Sequence, residues 1–253
     1  MVEGNGGLSM PLRAAGVVAM VYGHFLIFAQ FAWIELIRAH GITGSGEKAC
    51  LGAMAIAGIA AGFTVARRGA GVALLRASFL IAAAAAGAAP WAGSMPAALA
   101  VSLTAGAAIG TMTVCLAGFL PRWCGLAWTG LGTGLGYALC NLPVVFTATP
   151  ATQALAGAAF ALAGCLLVPS RIDLPASIVT HHRIPKPVAV IAAFTALVWL
   201  DSAAFFVIQH SPELKAGTWG NAMLWRNAGI HFAVAVLAGL LLRDRFRLSL
   251  IHI

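Results

Sequence analysis

Long apolar stretches alternate with short polar ones along the whole chain. Eight apolar runs stand out, at roughly 14–38, 47–66, 71–92, 95–119, 124–147, 150–169, 187–209 and 218–242. A helix that crosses the hydrocarbon core needs about 20 predominantly apolar residues, and each run reaches that length. The pattern therefore predicts eight membrane-spanning helices with short connections, 170–186 being the one longer linker. Within the runs, glycines recur four apart: Gly58 and Gly62, Gly106 and Gly110, Gly130 and Gly134, Gly132 and Gly136. That spacing predicts helix faces that pack backbone to backbone.

Composition agrees. Hydrophobic residues make up 61% of the chain and charged residues 9%, with a mean hydropathy of +0.93. A soluble domain carries about 25% charged residues, so a water-exposed surface could not be built from this sequence. The expected class is an all-α, polytopic helical membrane protein whose first partner is the lipid bilayer. The net charge of +8 is not a nucleic-acid signature, because the basic residues lie between the apolar runs rather than on one element. With the N-terminus in the cytoplasm, the inner loops hold Arg13, Arg67, Arg68, Arg76, Arg122, Arg171, Arg183, Lys186, Arg243, Arg245 and Arg247. The outer loops hold only Arg38, Lys48 and Lys215. This positive-inside bias predicts a cytoplasmic N-terminus in a bacterial cytoplasmic (inner) membrane. Trp91 and Trp219 near the outer boundary and Trp123 near the inner one suit an interfacial aromatic belt. The start, Met1–Pro11, is polar and glycine-rich, unlike a cleavable signal.

Several motifs lead nowhere. Cys50, Cys115, Cys124, Cys140 and Cys165 have no metal-ligand spacing and read as small packing residues. The run GLGTGLG (Gly130–Gly136) follows no strand and lies inside a span, so tight helix packing explains it better than nucleotide binding. His181 and His182 in the linker have no further ligands nearby. No cofactor and no metal are expected.

Six spans, a longer basic loop (SRIDLPASIVTHHRIPKP), and then further spans resemble the layout of the major facilitator superfamily. After the second span the chain reads GFTVARRG, similar to that family's loop motif at Gly62, Arg67 and Gly69. Ala66 stands where the family has an aspartate, and Ala70 where it prefers arginine. The resemblance implies a six-helix N-terminal bundle (1–169), a cytoplasmic linker (170–186) and the first two helices of a second bundle (187–247). It also implies that the first, fourth and seventh spans face a central cavity. On that layout four spans are missing, and the last six residues, LSLIHI (248–253), resemble the translation of a sequencing adapter; the chain is expected to be a C-terminally truncated fragment with a non-native tail.

Polar side chains inside the spans are the candidates for chemistry, since an ionisable one costs about 2.5–3.5 kcal/mol to insert. Asp201 lies about eight residues, ~12 Å at 1.5 Å per residue, from the outer end of the seventh run. Arg226 lies at a similar depth in the eighth, so the two are expected to pair, either as a static lock or as a switch that opens on binding. In the first run His24, Phe28, Phe31, Glu35 and Arg38 fall within about 80° of one another at helical spacing. They form a stripe that could line a cavity and carry a proton through His24, while Glu35 also has Arg38 within reach three residues on. Thr104 and Thr111 share a face of the fourth run. Asn141, two residues before Pro143, is expected to satisfy carbonyls freed by the proline. Asn227 and His231 share a face of the eighth run without a defined role.

These features favour a secondary transporter of a small solute, with possible proton coupling, working by alternating access between helix bundles. The alternatives are a membrane sensor or assembly factor on a carrier-like scaffold and, with less support, an intramembrane enzyme. No catalytic residue set such as HExxH or GxSxG occurs, so no enzyme activity is expected.

Overall fold

The structure, a computed structural model, describes residues 9–42, 44–68, 71–169, 211–219 and 221–242, with the six further positions 196, 200, 203, 204, 207 and 208. The linker 170–186, Asp201, Gly69, the His181–His182 pair and the tail 248–253 lie outside the described residues. The described chain is helical throughout, without a strand.

The first run is one continuous rod, Met10–Ala39. It consists of α1 (Met10–His24), a π-helical segment (Phe25–Ala32) and α2 (Trp33–Ala39). Next come α3 (Ser45–Arg68), α4 (Val72–Ala88) with a terminal 3₁₀ turn (Ala89–Trp91), and α5 (Met95–Trp123). They are followed by α6 (Gly125–Cys140), the single turn α7 (Pro143–Phe146), α8 (Pro150–Leu167), α9 (Pro212–Trp219) and α10 (Asn221–Leu242). Starts are written in the sequence. Ser94 accepts a hydrogen bond from the Ala97 N–H ahead of α5, and Thr149 accepts one from Thr152 ahead of α8, each with a proline in the first turn, where its missing N–H costs nothing. Between α5 and α6 the chain turns at Gly125, whose φ of 66° only glycine adopts without strain.

Six helices among the described residues are long and apolar enough to cross a membrane: Met10–Ala39, Ser45–Arg68, Val72–Trp91, Met95–Leu120, Pro150–Leu167 and Met223–Leu241. The protein is an integral membrane protein of the all-α class. The fifth run departs from expectation. In place of one helix over 124–147, α6 stops after 16 residues, about 24 Å at 1.5 Å per residue and short of the ~30 Å hydrocarbon core. Leu142 is extended, with φ −60° and ψ 127°, because the ring of Pro143 disfavours helical backbone in the residue before it.

The core joins α1, α4, α5 and α8 around Val17, Leu75, Phe79, Met112, Phe119 and Ala161. Trp123 belongs to this core, with 5% of its surface exposed. The expected belt position is corrected for it, whereas Trp91 is exposed. A second cluster, Phe28, Trp33, Ile37, Ala86, Ala98 and Ala154, lies towards the other end, and there the Trp33 indole N–H donates to Ser102 Oγ at 3.1 Å.

Glycine decides which helices touch. A Cβ at Gly106 or Gly110 on α5 would collide with the carbonyl oxygens of Cys50 or Met54 on α3. On α6 the four glycines alternate between two contacts. Gly130 and Gly134 meet Ala235, Gly239 and Phe232 of α10, while Gly132 and Gly136 meet Ala15, Val18, Ala19 and Tyr22 of α1. Gly62 faces open space, so the Gly58–Gly62 pair contributes only Gly58, which sits against Gly110. The outer faces of α3 and α10 expose Leu51, Ile56, Phe63, Val234 and Leu241, as lipid-facing helices do.

Candidate functional site

A cavity of about 390 Å³ opens between the first rod, the α6–α7 break and α9–α10. That size lies within the range of small-molecule pockets, about 300–1,000 Å³. The rod contributes Tyr22, Phe25, Leu26, Gln30 and Phe31; the break contributes Tyr137, Cys140, Asn141 and Phe146; α9 and α10 contribute Thr218, Asn227 and His231; Ala204 and Ile208 complete the wall.

The π segment explains the rod's contribution. In an α-helix residues five apart point about 140° away from one another at 100° per residue. In an i→i+5 turn they return close to one face. Phe25 with Gln30, and Leu26 with Phe31, are such pairs, and all four line the cavity. The same wide turns dissolve the stripe that α-helical spacing predicts for His24, Phe28, Phe31, Glu35 and Arg38. His24 and Phe28 turn into the bundle, both fully buried, while Phe31 turns to the cavity.

His24 Nδ1 donates to the Gly157 carbonyl at 2.9 Å, and Nε2 has no partner among the described residues. Its ring lies 5.3 Å from that of Phe28. It ties α1 to α8 and does not line the cavity.

Three rings step across the cavity wall. The Tyr22 and Tyr137 centroids are 5.8 Å apart, and His231 stacks on Tyr137 at 4.6 Å with 16° between planes. On the far side Phe31 meets Phe146 edge-on at 5.1 Å. Two amides are fixed by backbone: Asn141 Nδ2 donates to the Tyr137 carbonyl at 2.8 Å, and Asn227 Nδ2 to the Thr218 carbonyl at 2.5 Å. The carbonyl that Asn141 caps lies one turn back along α6. The expected target, the carbonyl of Leu139 left by Pro143, instead accepts the Leu142 N–H at 3.3 Å.

At the end of the rod Glu35 accepts from Arg38 at 2.8 Å, the expected contact, and from Lys215 of α9 at 3.1 Å. The second bond links the rod to the helix that carries Thr218. The remaining predicted positions among the described residues stay outside the cavity. Thr104 is exposed and Thr111 half-buried on α5, and Arg67 is exposed at the end of α3. Arg226 is exposed on α10, while its neighbour Asn227 lines the cavity. The cysteines are all free thiols, Cys115, Cys124 and Cys140 buried, and no cluster of metal-ligating side chains occurs among the described residues.

Of the predicted candidates that are described, Asn141 is on the cavity wall, together with Phe31 of the predicted stripe. The signal for the others was present as two i,i+4 polar pairs within apolar runs, Tyr137 with Asn141 and Asn227 with His231. Such spacing stacks side chains on one helix face. Comparison with family models, with curated proteins and with solved structures gives no match for the chain.

Proposed function

We propose that the chain is the solute-binding part of a secondary transporter in a bacterial cytoplasmic membrane, its N-terminus in the cytoplasm, and that it leaves its solute chemically unchanged. The observation that carries this reading is the cavity itself. Its walls come from helices at opposite ends of the sequence, the first rod and α9–α10, with the broken α6–α7 between them. A mid-bundle site at the meeting of two helix groups, next to interrupted helices, is where rocking-bundle carriers bind their solutes. Wide π turns also occur frequently at functional sites. The loop charge bias supports the orientation. Because His24 is sealed between α1 and α8, it has no part in moving protons through the cavity in this reading.

The test is accumulation. The full chain, reconstituted in lipid vesicles, is offered labelled sugars, nucleosides, amino acids and carboxylates under imposed pH and sodium gradients. Saturable uptake of one class, recovered unaltered, is the expected result. Saturable binding without accumulation would point to a sensor, and recovery of a modified solute would point to an enzyme.

A further inference from the structure

The cavity wall is selective in the kind of hydrogen bond it offers. Asn141 and Asn227 come from different helices, and each spends its amide nitrogen on a backbone carbonyl, of Tyr137 and Thr218 respectively. A carbonyl cannot donate, so in each amide the nitrogen is the bonded end and the oxygen is the other. Neither Oδ1 accepts a hydrogen bond from a described residue, and neither is closed off from solvent-sized space. Two amide oxygens, held by pinned side chains, are therefore left to a ligand. A ligand that fills the cavity and cannot donate strips these acceptors of water without replacing it, whereas a donating ligand satisfies them. Flat aromatic surface lies beside these acceptors, from Tyr22 and the Tyr137–His231 stack. Rings of this kind take the face of a sugar or a nucleobase through dispersion.

We propose that the cavity binds an uncharged ring solute bearing hydroxyl groups, a monosaccharide or a nucleoside, through donation of its O–H groups to Asn141 Oδ1 and Asn227 Oδ1. This rests on the carrier reading for its location and deepens it with a substrate class. The described lining carries no carboxylate, lysine or arginine, and a full ligand charge would lose its hydration there without a partner. Amide oxygens suit neutral donors.

The probes are D-glucose, D-galactose, adenosine and uridine, each with its fully O-methylated form, which keeps the ring and removes the O–H donors. Binding to the full chain in lipid nanodiscs is read by calorimetry, and vesicle accumulation is measured in parallel. At least one hydroxylated probe should bind, its methylated form at least tenfold more weakly, and Asn141→Leu and Asn227→Leu should each weaken binding about tenfold. Gly52→Ala, in open space on α3, controls for expression and folding and should bind as the wild type does. Which arm binds, sugar or nucleoside, identifies the source. Equal binding of the methylated forms, or binding that survives both leucine substitutions, overturns the inference. So does absence of binding by all four hydroxylated probes at millimolar concentration. Uptake of a different solute class would overturn the inference and leave the carrier reading standing. Binding of a hydroxylated ring without accumulation would retire the carrier and keep the site.

Discussion

His24 illustrates how a residue's chemistry and its role separate. An imidazole in a membrane span invites a proton-transfer role, yet this one is fully buried, gives its Nδ1–H to a backbone carbonyl of α8 and leaves Nε2 without a described partner. Replacing it with an apolar residue of similar size removes one hydrogen bond and one unsatisfied nitrogen together. The Gly157 carbonyl stays within the α8 helix, so the change amounts to one hydrogen bond of modest net worth. His24→Leu is therefore predicted to shift unfolding free energy by no more than about 1 kcal/mol and to leave solute binding and its pH dependence unchanged, as thermal unfolding and calorimetry would report. A lost acid limb in the transport profile of that variant would return His24 to the proton path. Glu35 differs, being a third exposed and shared between Arg38 and Lys215. Exposed pairs of this kind contribute at most about 1 kcal/mol, so its importance lies in where it holds α9 rather than in stability.

At the scale of elements, apolar periodicity located the first four helices and the sixth to within a few residues, since length and hydropathy alone define them. It could not locate the two interruptions that build the site. Pro143 was visible in the sequence, but the break it causes at Leu142 depends on backbone sterics that a hydropathy count does not register. The π segment FLIFAQFA carries no proline, glycine or other marker. Its wide turns do not follow 100° per residue. Hence the stripe that α-helical spacing predicts through His24 does not form, and Gln30 and Phe25, which lie outside that stripe, face the cavity instead. One extra residue per wide turn is the natural origin of such a segment. Deleting Ala29 leaves Phe25 with Gln30 and Leu26 with Phe31 four residues apart, about 40° from one another at 100° per residue, so α-helical geometry keeps both pairs on the cavity face. Membrane insertion and solute binding are therefore predicted to persist within about threefold in that variant. A loss of tenfold or more would show that the wide turns themselves shape the cavity. The amide pair was legible in principle, because Tyr137–Asn141 and Asn227–His231 are i,i+4 pairs, but only contact between α6 and α10 shows that they face one space.

For the molecule as a whole, α6 is the element that joins the core bundle to α10. It lies between α1 on one side and α10 on the other, and its glycines divide between the two contacts. A methyl group added to Gly134 would come within 3.0 Å of the Phe232 carbonyl oxygen, closer than van der Waals contact allows. Overpacking of this kind costs about 1–3 kcal/mol, and here the strain falls on the α6–α10 contact alone. Gly134→Ala is predicted to lower thermal stability modestly and to slow uptake more than it weakens equilibrium binding. Equal losses in uptake and binding would place its effect in the cavity instead.

The alternation of those glycines has a mechanical consequence. Packed side chains interlock like teeth, and two helices joined that way must unmesh before one can move past the other. Along Gly130–Gly136 the surfaces that meet are largely bare main chain, smooth on the scale of a methyl group. Such a contact resists separation, through close dispersion contact, while offering few obstacles to sliding. In α6 the chain has the makings of a plain bearing, a shaft with a sleeve on either side, set directly beside the cavity whose walls would have to move.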